Sequence, residues 1–327
     1  MRNALRLLSR IMPPLVGLGI VFLCAWAIRQ ELRRYTLQDI LQSIQAIAPA
    51  SLVTALALVA LSYLVLTGYD TLAITFAGCR LPYRRTALVA ALTYAISRTA
   101  GLSVLSGSAI RYRFYRRWGV SNLAIAKVIA FCSLSFWIGL FAVGGVLFTL
   151  NPPDVPMALP LPDKLLPAVG ALGLAAAFAY FAWSALSQRG LQIMGWTVPR
   201  LPLPLAIAQL VLTTLDWVLA AGILYLLLPG SLSYLDVFTV YLLAQFAGVF
   251  SSVPGGLGVF ETVLLLTLSP PIPADALLAA LLLYRLLYFV LPLLLAIAVL
   301  VVYELSARRR KPSAGEIDPA TEIRYGE

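Results

Sequence analysis

Apolar residues in this 327-residue chain run in long continuous stretches, rather than in the alternation of a strand or the one-sided stripe of a soluble helix. The stretches near 11–28, 51–69, 124–148, 165–185, 204–228 and 276–303 are long enough to cross about 30 Å of hydrocarbon, which takes ~20 helical residues. They predict six membrane-spanning helices. Two further regions, 86–110 and 237–270, are apolar but interrupted, the first by Gly101-Leu102-Ser103-Val104-Leu105-Ser106-Gly107-Ser108 and the second by Val253-Pro254-Gly255-Gly256-Leu257-Gly258-Val259-Phe260-Glu261. Backbone groups freed by such a break find no water in hydrocarbon, so breaks at this depth belong where protein or a hydrated cavity satisfies them. Each interrupted region is either two short crossings or one re-entrant helical hairpin, and both options return the chain to the side it came from. The fold class predicted is an all-α polytopic membrane protein.

Composition agrees with that pattern: 61% hydrophobic, 12% charged and a mean hydropathy of +0.91 lie far from a soluble domain. The net charge of +10 does not point to nucleic acid, because the cations sit in short segments between apolar runs. Most Lys and Arg fall in 1–10, 70–123, 186–203 and 304–327, leaving Arg29, Arg33, Arg34 and Lys164 for the intervening segments 29–50, 149–164, 229–236 and 271–275. The positive-inside rule then places both termini in the cytoplasm, in a bacterial cytoplasmic membrane. Arg2, Arg6 and Arg10 before the first apolar run imitate a signal peptide, but the spans that follow at once favour a retained helix. The chain has no histidine, and Cys24, Cys79 and Cys132 lack metal-like spacing. They read as small buried apolar residues, so no disulfide, metal or cofactor is expected.

Element order repeats. Residues 11–148 run span, span, broken hairpin, span, and residues 165–303 run the same way, joined by the proline-rich linker around Asn151-Pro152-Pro153-Asp154-Val155-Pro156. Each half holds an odd number of crossings, so the second is expected to be inverted relative to the first, as in many transporters. The organisation expected is one membrane domain, 1–303, followed by a basic-then-polar tail, 304–327.

Ionisable groups in a bilayer cost several kcal/mol unless paired or hydrated, so the few present carry information. Asp70 ends the second span, Arg98 lies in the first interrupted region, Asp216 is central in the fifth span, Glu261 follows the second break and Arg285 lies in the last span. Asp70 and Lys127 can reach the headgroup level; Asp216, Glu261 and Arg285 sit deeper. Glu261 is expected to meet an arginine, with Arg98, Arg111 and Arg285 as candidates, and such pairing serves either structure or ligand handling. Arg111-Tyr112-Arg113-Phe114-Tyr115-Arg116-Arg117-Trp118 mixes guanidinium groups and rings directly after the first break. It suits either an anionic headgroup, with the Ser106 and Ser108 hydroxyls as further donors, or an ordinary interfacial anchor.

The segment from Leu105 to Arg113, together with Pro254-Gly255-Gly256-Leu257-Gly258-Val259-Phe260-Glu261, resembles the flippase-like membrane domain of the lysylphosphatidylglycerol synthase transmembrane family over roughly residues 10–305. The resemblance implies a lipid-handling module, and it marks Asp70, Arg111 and Glu261 as positions that matter for translocation. Residues 304–327 leave no room for the soluble aminoacyl-transferase domain of two-domain members, so a membrane domain alone is expected. No Gly-x-x-x-x-Gly-Lys-Ser/Thr loop is present, which excludes a built-in ATP motor of that kind.

Three functions fit: a translocase for a phospholipid or related lipid, a non-transporting accessory protein for a lipid-modifying enzyme or a homo-oligomeric scaffold, and an intramembrane lipid-modifying enzyme. The last is weakest, since no histidine and no nucleophile with a base partner is visible. The candidate substrate-binding residues are Asp70, Arg98, Ser106, Ser108, Arg111, Arg113, Glu261 and Arg285, with an anionic or zwitterionic phospholipid as the partner.

Overall fold

A computed structural model describes residue 45 and residues 47–100, 103–153, 162, 164–187, 191–193, 196–198, 200–230, 232–250, 258–268, 272 and 274–309. The predicted first span at 11–28 with Cys24, the middle of the linker, residues 101–102 and 251–257 of the two breaks, and the tail beyond 309 lie outside them.

The described chain is almost wholly helical: α1 (Pro49–Phe76), α2 (Tyr83–Ala100), α3 (Ser103–Arg117), α4 (Asn122–Leu150), α5 (Leu165–Leu186), α6 (Leu203–Leu227), α7 (Tyr234–Phe250), α8 (Val259–Leu268), α9 (Ala274–Arg285) and α10 (Leu291–Arg309), with a π-helical turn at Leu286–Val290 joining the last two. A short antiparallel pair, β1 (Leu191–Ile193) and β2 (Trp196–Val198), punctuates the α5–α6 connection, with Leu191 opposite Val198. Among the described residues, α1, α4, α5, α6 and the continuous rod Ala276–Ser306 are long and apolar enough to cross a membrane, in line with five of the six predicted spans.

Local chemistry sets the ends. Pro49 opens α1 at a position whose N–H would have no intrahelical partner. Ser121 caps α4, its hydroxyl accepting the Ala124 N–H at 3.3 Å. α3 closes through Gly119 at φ 81, where Val120 N–H reaches back to the Tyr115 carbonyl at 3.0 Å in a Schellman arrangement.

The first break is shorter than the sequence pattern suggests, because the helix resumes at Ser103 rather than after Ser108. Gly107 serves helix packing: a Cβ on it would stand 3.1 Å from Thr93 Cγ2 and 3.6 Å from Ser97 Cβ on α2. The break in the second interrupted region ends at Gly258, whose φ of 82 is left-handed, and α8 follows with ten residues. At 1.5 Å per residue α8 rises ~15 Å, half of what a crossing needs.

Residue pairings give the helix directions. Leu58 meets Gly222, Ser62 meets Asp216 and Gly68 meets Leu212, so α1 and α6 run antiparallel in the most extensive helix contact of the fold. Ser135 meets Gln209 and Gly139 meets Thr213, so α4 runs parallel to α6. α4 and α5 touch backbone to backbone through Gly145, Gly170 and Gly173; a Cβ on Gly173 would sit 2.9 Å from the Phe141 carbonyl oxygen. Small residues replace hydrophobic driving force here, since lipid tails are as apolar as leucine.

Two apolar clusters result. One gathers α7, α8, α9 and the adjoining halves of α1, α4 and α6, and the other gathers α2, α3, α10 and the opposite halves of α1 and α4. Between them lies a polar layer at the middle of the helices, containing Ser62, Ser135, Gln209, Thr213 and Asp216, all buried.

Candidate functional site

Three arginine–carboxylate pairs form along and beside that layer. Asp70 on α1 is fully buried, and Arg111 on α3 clamps it with Nε to Oδ1 at 2.9 Å and Nη2 to Oδ2 at 2.8 Å. Tyr115, one turn along α3, donates to Oδ1 at 2.7 Å, and the Cys132 thiol lies 4.0 Å from Oδ2. Helical spacing explains the double grip, because residues four apart share a face.

Arg98, in the last turn of α2, reaches Asp216 on α6 with Nη2 at 3.0 and 2.9 Å from the two carboxylate oxygens. Its Nη1 donates to the Tyr288 hydroxyl in the π turn, while Ser62 bridges Tyr288 at 2.9 Å and Asp216 at 3.4 Å. The guanidinium also lies 4.9 Å from the Tyr288 ring centroid and 6.0 Å from that of Tyr94. This arginine side chain is 22% exposed, against 7% for Arg111 and 7% for Arg285.

Glu261 faces Arg285, whose Nε donates to Oε1 at 2.7 Å, and its second oxygen takes the Gly258 N–H at 2.7 Å. That second bond makes Glu261 the cap of α8, a third-residue carboxylate returning to the N-cap amide. Arg285 lies 4.9 Å from the Phe289 ring and 5.6 Å from Phe260. The π turn directly after Arg285 widens the helix so that Tyr284, Arg285, Leu287 and Tyr288 are all buried, and such turns recur at functional sites.

Aromatic rings join the pairs into one row. Tyr94 lies 5.3 Å below Arg111 and also beside Arg98; Tyr288 stacks toward Tyr284 at 5.4 Å, and Tyr284 toward Phe260 under Arg285. The Tyr284 hydroxyl meets that of Tyr241 at 2.9 Å, which accepts from Gln245 at 3.0 Å.

The structure thus brings Asp70, Arg98, Arg111, Glu261 and Arg285 into one row. Arg113 stands apart, paired with Glu304 of α10, and Ser108 is half-buried on α3; the Ser106 side chain lies outside the described residues. Asp216, noted in the sequence as a deep charge but given no role there, proves to be the partner of Arg98. Tyr94, Tyr115, Ser62 and Tyr288 were missed. A tyrosine four residues from an arginine, as in Tyr94/Arg98 and Arg111/Tyr115, is the local signal that points to two of them. Among the described residues no group of three His, Cys, Asp or Glu gathers to hold a metal. Cys79 and Cys132 are free, buried thiols, and burial pushes the loop residue Cys79 up, with Lys127 opposing.

The family model described as the lysylphosphatidylglycerol synthase TM region matches residues 15–296. The chain belongs to this family. Relatives include an uncharacterized protein, slr0712, of Synechocystis sp., 44% identical over 93% of this chain and 95% of its own length. The inner membrane protein YbhN of Escherichia coli is 31% identical over 79% of this chain and 82% of its own. The phosphatidylglycerol lysyltransferase of Staphylococcus xylosus is 23% identical over 86% of this chain, a match that covers 33% of that protein. This member of the family is therefore a multi-span membrane protein, and its polar row lies inside the family region.

Proposed function

We propose that this protein moves a phospholipid, or a related phosphate-bearing lipid, across the membrane in which it sits, with its arginine-rich end and both termini at the cytoplasm. The observation that carries the reading is the row of buried arginine–carboxylate pairs, each with one partner, Asp70, Asp216 or Arg285, on a helix apolar enough to span a bilayer. Charges at that depth are expensive, and substrate pathways are the commonest reason to keep them. The name of the staphylococcal relatives makes phosphatidylglycerol the first lipid to test.

Arg98 receives the phosphate in this scheme. It is the most exposed of the three arginines in the row, and a phosphate can take the place of the Asp216 carboxylate, whose two oxygens both rest on Nη2. Arg111 and Arg285, already closed on Asp70 and Glu261, hold the frame on either side. A charge-assisted hydrogen bond contributes about 1.5–3 kcal/mol, which corresponds to roughly ten-fold or more in lipid engagement. The antiparallel α1 and α6, each the second span of its half, support reading 11–148 and 165–303 as an inverted repeat that rocks about the row.

The test is a flip assay in liposomes with labelled phosphatidylglycerol on wild type, Arg98→Ala, Arg98→Lys, Arg111→Ala and Glu261→Gln, each checked for folding. Wild-type transport that falls about ten-fold in Arg98→Ala and partly returns in Arg98→Lys is expected. Equal rates in every variant, or no wild-type transport under any ion gradient, would overturn the reading and leave an accessory role.

A further inference from the structure

Between α1, α2 and α10 the lipid-facing surface opens into a cleft of about 330 Å³, within the lower range of small-ligand sites. Its walls include Leu56 and Ala60 on α1, Ala91 and Ala95 on α2, and Leu295 and Val299 on α10. Alanines on all three helices, Ala60, Ala91, Ala95 and Ala296, keep the walls thin, which is what leaves a trough instead of a packed seam. Helical periodicity ties the trough to the polar row. On α2, Leu88, Ala91 and Ala95 form one stripe whose next member, three residues on, is Arg98; on α10, Val299, Leu295 and Leu291 lead back to Tyr288.

Tyr63 stands at the junction. Its ring lines the cleft and meets Tyr288 edge-on at 6.3 Å, while its hydroxyl is buried without a hydrogen-bond partner among the described residues. The hydroxyl lies in the field of Arg98, Tyr288 and Asp216. A buried O–H without an acceptor is costly, and a site that holds one beside a part-exposed arginine is shaped for an oxygen-rich group that arrives with the ligand.

We infer that this cleft seats one acyl chain of a phospholipid, with the ester–phosphate region of the same molecule accepting from Tyr63 and Arg98. The assignment rests on the translocase reading for the identity of the headgroup, but the seat itself is defined by the cleft. An acyl chain fits a narrow apolar trough, whereas a helix about 10 Å wide needs an open face. The chain's own residues 11–28 carry no side-chain oxygen, only the weakly accepting sulfurs of Met12 and Cys24, to meet the Tyr63 hydroxyl. A phospholipid supplies both the tail and the acceptor.

The experiment uses the full chain in nanodiscs with phosphatidylglycerol carrying a photoactivatable diazirine near the middle of one acyl chain, followed by mapping of the labelled residues. Labels concentrated on Leu56, Leu88 and Leu295 are expected, at least five-fold above those on the exposed α5 residues Leu172 and Phe178. Ala60→Phe with Ala91→Phe should remove most of that enrichment, while Leu172→Phe leaves it in place, with melting temperatures confirming that each variant folds. Tyr63→Phe should lower cleft labelling by about three-fold with the phospholipid probe and leave labelling by a diacylglycerol probe, which lacks the phosphate, unchanged. Even labelling around the perimeter would overturn the inference. So would a disulfide formed in native membranes between Val21→Cys and Ala91→Cys, which would place the chain's own first span in the cleft. A labelled cleft in a protein that flips no lipid would keep this inference and overturn the translocase reading; flipping that survives the filled cleft, with no cleft label, would do the reverse.

Discussion

Asp70 and Asp216 each offer two oxygens to an arginine, but Arg111 answers with Nε and Nη2 as a fork and Arg98 with Nη2 alone, and their surroundings differ in kind as well. Asp70 is closed by Arg111 and Tyr115 from a single neighbouring helix, with nothing left exposed on the carboxylate. Asp216 is held by Arg98 from α2 and Ser62 from α1, with Tyr288 of the π turn completing the circle, and its arginine remains 22% exposed beside an apolar cleft. The first pair is a clamp between elements close in the chain. The second joins elements from both ends of the chain across the middle of the bilayer, where a change of partner would move helices relative to one another. The same residue types thus make a closed pair in one place and a part-exposed one in the other.

Breaking the clamp should have the largest effect. Arg111→Ala or Asp70→Asn leaves a buried charge or an unsatisfied guanidinium, and loss of one partner of a buried pair costs about 3–5 kcal/mol. Detergent-solubilised variants should melt far below wild type, and replacing both residues with leucine should cost less than either single change. Wild-type melting in both single variants would erase the distinction drawn here.

Gly107→Val tests how the clamp is placed. A Cβ there already sits 3.1 Å from Thr93 and 3.6 Å from Arg111 Nη1, so further branching pushes α3 from α2 at about 1–3 kcal/mol. The expected sign is a lower melting temperature with normal membrane insertion; a neutral result would mean that the helices slide without cost.

Arg98→Ala should cost less stability than Arg111→Ala, because water and lipid already reach its guanidinium, while lipid engagement falls by roughly ten-fold for a lost contact of about 1.5 kcal/mol. Melting and lipid binding measured on the same samples separate the two effects. If Arg98→Ala unfolds the protein as thoroughly as Arg111→Ala does, the second pair is a clamp as well. The smallest change is Ser62→Ala, which removes the hydroxyl shared by Tyr288 and Asp216 for about 0.5–1.5 kcal/mol. It should alter transport more than melting, as expected of a residue that orients Asp216 during exchange.

Much of this was legible beforehand, and unevenly. The α1, α4, α5 and α6 spans follow from apolar length alone, and Glu261 was expected to meet an arginine drawn from a short set that included Arg285. The first break was read as too long, because glycine and serine between apolar runs signal a loop and a tight helix–helix contact equally well; Gly107 belongs to the second case. Asp216 stood out as a deep charge without a partner, since nothing local in α6 reveals that Arg98 approaches from another helix. Ser62 and Tyr288 carry no charge and gave no local warning of their place in that pair.

What the chain's residues determined by themselves was solvent and length: a mean hydropathy of +0.91 commits the backbone to helices, because hydrocarbon offers no partner for a free N–H or C=O. Which arginine answers which carboxylate was decided by tertiary structure alone. Several pairings satisfy charge equally well, and only the packing of small residues at Gly68, Gly107 and Gly139 brings α1, α3, α4 and α6 close enough to choose among them.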